Sequence, residues 1–161
     1  MTVLPQTGSA PVRIAARSPI RVVVADEHAL MRRGLRLLLA AEDGVDIVGE
    51  ASDLAAVRPA VRELRPQVLV IDLSMSGGST IQLIRVLRRE AAATEIVALT
   101  MEESTAFARA ALDAGAAGFV LTQAAEAELS QAVRSAARGE RYVSTRLHGR
   151  LALLERRAPG A

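Results

Sequence analysis

The stretch Val68-Leu-Val-Ile-Asp-Leu-Ser-Met75 constrains this chain most. Four apolar residues, mostly β-branched, run straight into one carboxylate. An apolar run without polar alternation reads as a strand covered on both faces. An ionised acid in the middle of such a strand is costly to bury. At the C-terminal end it can meet solvent, a metal and substrate, and ligands of open α/β sheets bind there. Asp72 is therefore the residue around which the rest of the sequence is read.

The flanking segments repeat one pattern. Ile20–Ala25 (IRVVVA) reads as a strand ending in Asp26-Glu27. His28–Ala41 has Leu30, Met31, Leu35, Leu38 and Leu39 at helical spacing, with Arg32, Arg33 and Arg36 largely opposite. Val45–Ala51 alternates like an edge strand. Asp53–Arg65 is helical in pattern, with Pro59 expected to kink or restart it and Pro66 to end it. Ser76-Gly-Gly-Ser79 reads as a flexible turn and Thr80–Glu90 as a helix. Glu95–Thr100 is a strand. Ser104 is placed to cap a helix running to Ala114 and closed by Gly115. Gly118–Leu121 is a short fifth strand and Ala124–Arg138 a helix. After Tyr142-Val143, Ser144–Arg157 carries Leu147, Leu151 and Leu154 at i, i+4, i+7. That stripe predicts an extra amphipathic helix, packed on the domain or paired with a second copy. Five strands alternating with five helices predict an α/β, flavodoxin-like (βα)5 doubly wound parallel sheet in the order 2-1-3-4-5. The expected division is a disordered leader over 1–18, one domain over 19–140, and a linker, extra helix and tail over 141–161.

Composition excludes several function classes. The chain has 161 residues and no Cys, so disulfides and thiolate metal sites are ruled out. The pI of 10.3 comes from arginine alone, since there is no Lys, and the net charge is only +2. No basic stripe interleaved with aromatics appears, so the chain lacks the footprint of a nucleic-acid binder. No apolar run approaches the roughly 18 residues of a membrane span. The expectation is a soluble, cytoplasmic protein without a membrane partner.

The predicted strand order brings three carboxylates together. Asp26 and Glu27 follow strand 1, and Asp72 ends the adjacent strand 3. Such a cluster raises at least one pKa unless a cation joins it. Mg²⁺ suits it, because it takes one or two carboxylates, keeps waters and accepts a phosphate oxygen. Thr100 ends strand 4 on the same rim and can hydrogen-bond a phosphoryl oxygen. A carboxylate nucleophile, a metal and a hydroxyl together suggest acyl-phosphate formation by in-line transfer. A flavin phosphate would be repelled by the Asp-Glu-His loop, where small hydroxyl and Gly residues are needed. No base–nucleophile pair marks an independent enzyme. His28 reads as a residue at the start of a helix, and His148 as a solvated side chain.

These segments resemble a bacterial response-regulator receiver domain of the NarL/FixJ type. The resemblance is carried by IRVVVADEHALMRRGLRLLL (20–39), VDIVGEASD (45–53), RPQVLVIDLSM (65–75), EIVALT (95–100), DAGAAGFVLTQAA (113–125) and GERYVS (139–144). It implies that Asp72 is the phosphoacceptor. It implies that Asp26, Glu27, Asp72 and the backbone carbonyl of Ser74 hold Mg²⁺. It implies that Thr100 is the switch hydroxyl, moving with Phe119 as the switch aromatic. It also implies a histidine kinase or other regulatory protein as partner, a homodimer, and control of transcription through an output domain or partner. Any enzymatic activity would be confined to phosphoryl transfer to its own Asp72.

Four features depart from the family pattern. Thr122 stands where the family has a lysine that pairs with the phosphoryl group. Glu27 stands at a metal-ligand position that is usually Asp. Ser76 and Thr80 replace a Pro and a Gly, leaving Gly77-Gly78 in a looser loop. Only about twenty residues follow the fifth strand–helix unit, too few for the helix-turn-helix through which DNA would be bound. The alternative reading is a pseudo-receiver regulated by protein contacts or a small ligand, independently of phosphorylation. On either reading, loss of the lysine charge predicts a weakened switch.

Overall fold

The computed structural model describes residues 18–157. The leader expected over 1–18 thus lies outside the described residues except for Ser18, and the Pro-Gly tail lies outside them altogether. The strands are β1 (Ile20–Ala25), β2 (Val45–Ala51), β3 (Val68–Asp72), β4 (Glu95–Thr100), β5 (Gly118–Leu121) and β6 (Tyr142–Val143). The helices are α1 (Ala29–Ala40), α2 (Leu54–Leu64), α3 (Thr80–Glu90), α4 (Thr105–Ala114), α5 (Ala125–Ala137) and α6 (Thr145–Arg157). The strands form one parallel sheet in the order β2-β1-β3-β4-β5-β6.

Two cores explain why the central strands are apolar throughout. Val23, Ala25, Leu69, Ile71, Ile96 and Ala98 face one side of the sheet, against α2, α3, α4 and α6. Their neighbours Val22, Val24, Val68, Val70, Val97 and Leu99 face the other, against α1 and α5. Successive side chains alternate faces, and helices cover both, so every position must be apolar.

Local signals set the helix ends. Asp53 accepts a hydrogen bond from the Ala56 N–H at 2.8 Å, and Ser79 and Ser104 accept from Gln82 and Phe107, each at 3.2 Å. Each satisfies an amide that its helix leaves without a partner. Gly115 closes α4 in the left-handed region at φ 117°, and a Cβ there would sit 2.3 Å from Arg88 Cγ. Both the conformation and the close approach require glycine.

Four details differ from the sequence expectations. The helix does not restart at Pro59; α2 runs through it. Ala55, whose carbonyl loses its partner to the missing N–H, is exposed, so water can replace that bond. The inward face of α1 is carried by Leu35 and Leu39, while Leu30 is 85% exposed and Met31 and Leu37 also reach solvent. Arg32 takes the inward place on the first turn: its guanidinium donates to the Asp26 carbonyl at 2.8 Å and pairs with Glu50 at 3.2 Å. Tyr142-Val143 adds a sixth strand, paired Gly118↔Tyr142 and Phe119↔Val143. In α6, Leu147 and Leu151 are buried in the domain's own core, whereas Leu154 is exposed.

Candidate functional site

The parallel register of β1 and β3 pairs Ala25 with Ile71, so each strand's next residue is an acid. Asp26 and Asp72 thus emerge side by side at the C-terminal edge, where the order reverses between β2-β1 and β3-β4. Asp26 is buried, with its backbone N–H bonded to the Ala51 carbonyl at 3.1 Å. Its Oδ1 accepts from the His28 N–H at 2.8 Å, which fixes the carboxylate. Asp72 is half-buried, and its Oδ1 accepts from the Ser74 N–H at 3.0 Å.

The electrostatics follow from this placement. Burial pushes the Asp72 carboxyl above its ordinary range, and repulsion from Asp26 and Glu27 pushes the same way, against the Ser74 N–H. Glu27 behaves in the opposite sense. Its exposed carboxylate accepts from Ser76, through the hydroxyl at 2.6 Å and the N–H at 3.1 Å, and these bonds hold its carboxyl low. Glu27 is therefore turned onto Ser76, away from the tight cluster that the sequence led one to expect. A different third group stands there: ligand atoms of Asp26, His28 and Asp72 all lie within 4.8 Å of one another. His28 sits at the N-cap position of α1 as expected, but its side chain makes no capping hydrogen bond. Sequence reasoning missed it as a donor; its place two residues beyond Asp26 was the available signal.

The remaining candidates lie on the neighbouring strands. Thr100 ends β4, one residue beyond the Leu99 that pairs with Asp72. Its side chain is fully buried, and its Oγ1 accepts from the Glu102 N–H at 3.1 Å. Phe119, on β5 opposite Ala98, is fully buried. Thr122 follows β5 and opens a 3-10 turn over Thr122–Ala124, partly exposed. The chain contains no lysine. Thr80 starts α3 with its Oγ1 buried and unpartnered, the one such side-chain atom among the described residues.

A second polar cluster joins α6 to this end of the sheet. Glu128 of α5 is buried and accepts from Ser144 Oγ, from the Thr145 N–H at 3.0 Å and from Thr145 Oγ1 at 2.8 Å. Burial would raise its carboxyl, but the bonds from Ser144 and Thr145 outweigh it and hold the group low. Ser144 Oγ also accepts from the Leu121 N–H at 2.9 Å, next to Thr122. Arg146, the second residue of α6, pairs with Glu103 in the loop after Thr100 at 2.5 Å.

The sequence and the fold are similar to those of known proteins. Residues 22–134 match the response regulator receiver domain family. The nitrate/nitrite response regulator protein NarP of Escherichia coli (strain K12) is 35% identical over 131 residues, covering 81% of this chain and 61% of that protein. Response regulator GacA of Pseudomonas viridiflava is 38% identical over 134 residues, covering 83% and 63%. The chain thus spans less than two thirds of the length of these relatives. Among solved structures, a two-component response regulator of the LuxR family from Aurantimonas sp. SI85-9A1 superposes with a TM-score of 0.81 at 33% identity, covering 86% of this chain and 99% of that one. The isolated receiver domain of RcsB from Salmonella enterica serovar Typhimurium, solved with the phosphomimetic BeF3⁻, gives 0.76 at 32% identity, covering 83% and 99%. With the family matched across most of the sheet and relatives of the NarL/LuxR type on both counts, this chain belongs to the response regulator receiver domain family and is the receiver domain of a two-component response regulator.

Proposed function

We propose that Asp72 accepts a phosphoryl group and that the change is read by an output domain or partner controlling transcription. The observation that carries this is the register that sets Asp72 beside Asp26 at the switch point of the sheet. A carboxylate oxygen of Asp72 attacks phosphorus, the bond from phosphorus to the donor's leaving group breaks, and an acyl phosphate remains on Asp72. Two clustered acids need a cation for this, and the donor set fits one. Asp26 and Asp72 would hold Mg²⁺ with the Ser74 carbonyl, and Glu27 would join on leaving Ser76. The ion supplies charge neutralisation at the phosphoryl oxygens. Thr100 would turn its hydroxyl from the Glu102 N–H to the phosphoryl group, with Phe119 moving in step. Histidine kinases are the expected phosphodonors. RcsB, one of the structural neighbours, forms dimers on DNA; a homodimer, with DNA reached through a helix-turn-helix domain, is the arrangement proposed for this protein.

A pseudo-receiver is the second reading, and two observations favour it. Thr122 brings no cation to the phosphoryl position, and Glu27 is engaged with Ser76. In such a protein, contacts with a protein or small ligand set the output and Asp72 stays unmodified.

Amide NMR during titration with beryllofluoride and Mg²⁺ separates the two. A working receiver shifts the resonances of residues around Asp72, Thr100 and Thr122 together. A pseudo-receiver shows none of these shifts.

A further inference from the structure

The opposite end of the sheet from Asp72 carries a cavity of about 740 Å³ between α2 and α3, beside the first residues of β3 and β4. Pockets of roughly 300–1,000 Å³ hold small organic molecules, with apolar walls around the body and a few placed polar groups for orientation. Both parts are present here. Val61, Pro66 and Leu87 are buried and supply apolar wall, while Ala91-Ala92-Ala93, between α3 and β4, fill little of the space. The charged groups are Arg58, Arg62, Arg65 and Glu90. Arg58 and Glu90 satisfy each other across the two helices, with Nε donating to Oε2 at 3.0 Å. Arg62 and Arg65 are exposed, and neither guanidinium makes a hydrogen bond or ion pair among the described residues. The cavity thus keeps two uncompensated cations beside apolar wall.

Helix structure accounts for only one of these cations. Arg62 lies in the last turn of α2, where a positive charge complements the helix dipole. Arg65 ends α2 in the left-handed region at φ 45°, the one non-glycine residue of positive φ among the described residues. Glycine takes that conformation freely. What arginine adds there is a guanidinium beside the cavity. We propose that this cavity binds a small organic anion, a carboxylate, sulfonate or phosphate group on an apolar body. Arg62 and Arg65 hold the anionic group, since the guanidinium fork donates two parallel N–H bonds to such an oxyanion. Val61, Pro66 and Leu87 pack against the body. From Gln67 at the cavity to Asp72 runs the length of β3, about 16 Å at roughly 3.3 Å per residue. Binding therefore does not depend on the state of Asp72.

Fluorescence titration with 8-anilinonaphthalene-1-sulfonate tests this, because the probe joins a sulfonate to an apolar aromatic body. N-phenyl-1-naphthylamine carries the same body without the charge. The folded protein is expected to bind the sulfonate at one saturable site, and the neutral analogue about tenfold more weakly. Arg62→Ala keeps a good helix former on an exposed face, and Arg65→Gly suits the left-handed position, so Tm should hold in both. Each is expected to weaken the sulfonate about tenfold and leave the neutral analogue within about twofold. Asp72→Asn, and Arg33→Ala on the exposed face of α1, are expected to change nothing. Absence of a saturable site, or equal affinity for the two probes, overturns the proposal. So does an unchanged sulfonate affinity in Arg62→Ala and Arg65→Gly. A loss in Asp72→Asn or Arg33→Ala also overturns it, because the probe then sits elsewhere.

Discussion

The Glu27 carboxylate is held by Ser76 across the loop after β3, through the Ser76 hydroxyl at 2.6 Å and its N–H at 3.1 Å. Ser76 thus holds the carboxylate that the proposed Mg²⁺ site would draw on. Ser76→Ala removes the stronger tether and leaves the carboxylate freer to turn inward. Mg²⁺ affinity is expected to rise about three- to fivefold, the scale of one hydrogen bond no longer broken on binding. Calorimetry checks this, and the Glu27 carboxyl should move up towards its ordinary range in a carbon-detected NMR titration.

Asp72 carries the reverse strain. Its carboxyl is raised by burial and by neighbouring acids, so the folded protein holds this proton more firmly than the unfolded chain does. Ionised Asp72 therefore costs stability, and the cost grows as pH rises from the ordinary carboxylate range through the raised value. Asp72→Asn is expected to raise Tm by about 2–4 °C at neutral pH without metal, the scale of one side-chain effect in a domain of this size. The gain should vanish below about pH 4. Mg²⁺ should stabilise the wild type and leave the variant unchanged. Thermal melts at several pH values measure all three.

Glu128 works in the other direction. Its carboxyl is held low by Ser144 and Thr145, despite burial, so it adds stability above the ordinary carboxylate range and loses it as pH falls through the depressed value. Glu128→Ala strips the acceptor from the start of α6 and leaves those donors unpaired. The loss is expected to be about 2–3 kcal/mol at neutral pH, shrinking in acid. Hydrogen exchange should rise first at Thr145–Leu147, where α6 joins the domain.

Thr122, which the resemblance sets at the position of the family's lysine, is partly exposed beyond β5. Thr122→Lys supplies a cation that can pair with a phosphoryl group on Asp72. Beryllofluoride should then bind about tenfold more tightly, in the range of a charge-assisted contact in a partly buried site. Fluorine NMR of the bound group measures the change. An unaltered affinity would mean that the missing charge is not what limits this site.

Much of this architecture was legible in the chain because its signals were local. The apolar run of Val68–Ile71 announced a two-sided strand, and Ser104 and Gly115 marked both ends of α4. Asp26 and Asp72 came together because parallel order alone fixes which strand ends are neighbours. What was not legible depended on side-chain direction. On the first turn of α1 the inner place went to Arg32, not to Leu30 or Met31, and its guanidinium donates to the Asp26 carbonyl and pairs with Glu50. Glu27 and His28 exchanged places in the cluster because Ser76, forty-nine residues later, offered Glu27 two hydrogen bonds. Tyr142-Val143, two residues long, is too short to carry a period.

Intact mass after incubation with Mg²⁺ and a small phosphodonor, run beside Asp72→Asn, tests the central claim most directly. One phosphoryl adduct on the wild type, absent from Asp72→Asn, is the predicted result. A folded wild type that gains no adduct, or an adduct that persists in Asp72→Asn, would contradict Asp72 as the acceptor.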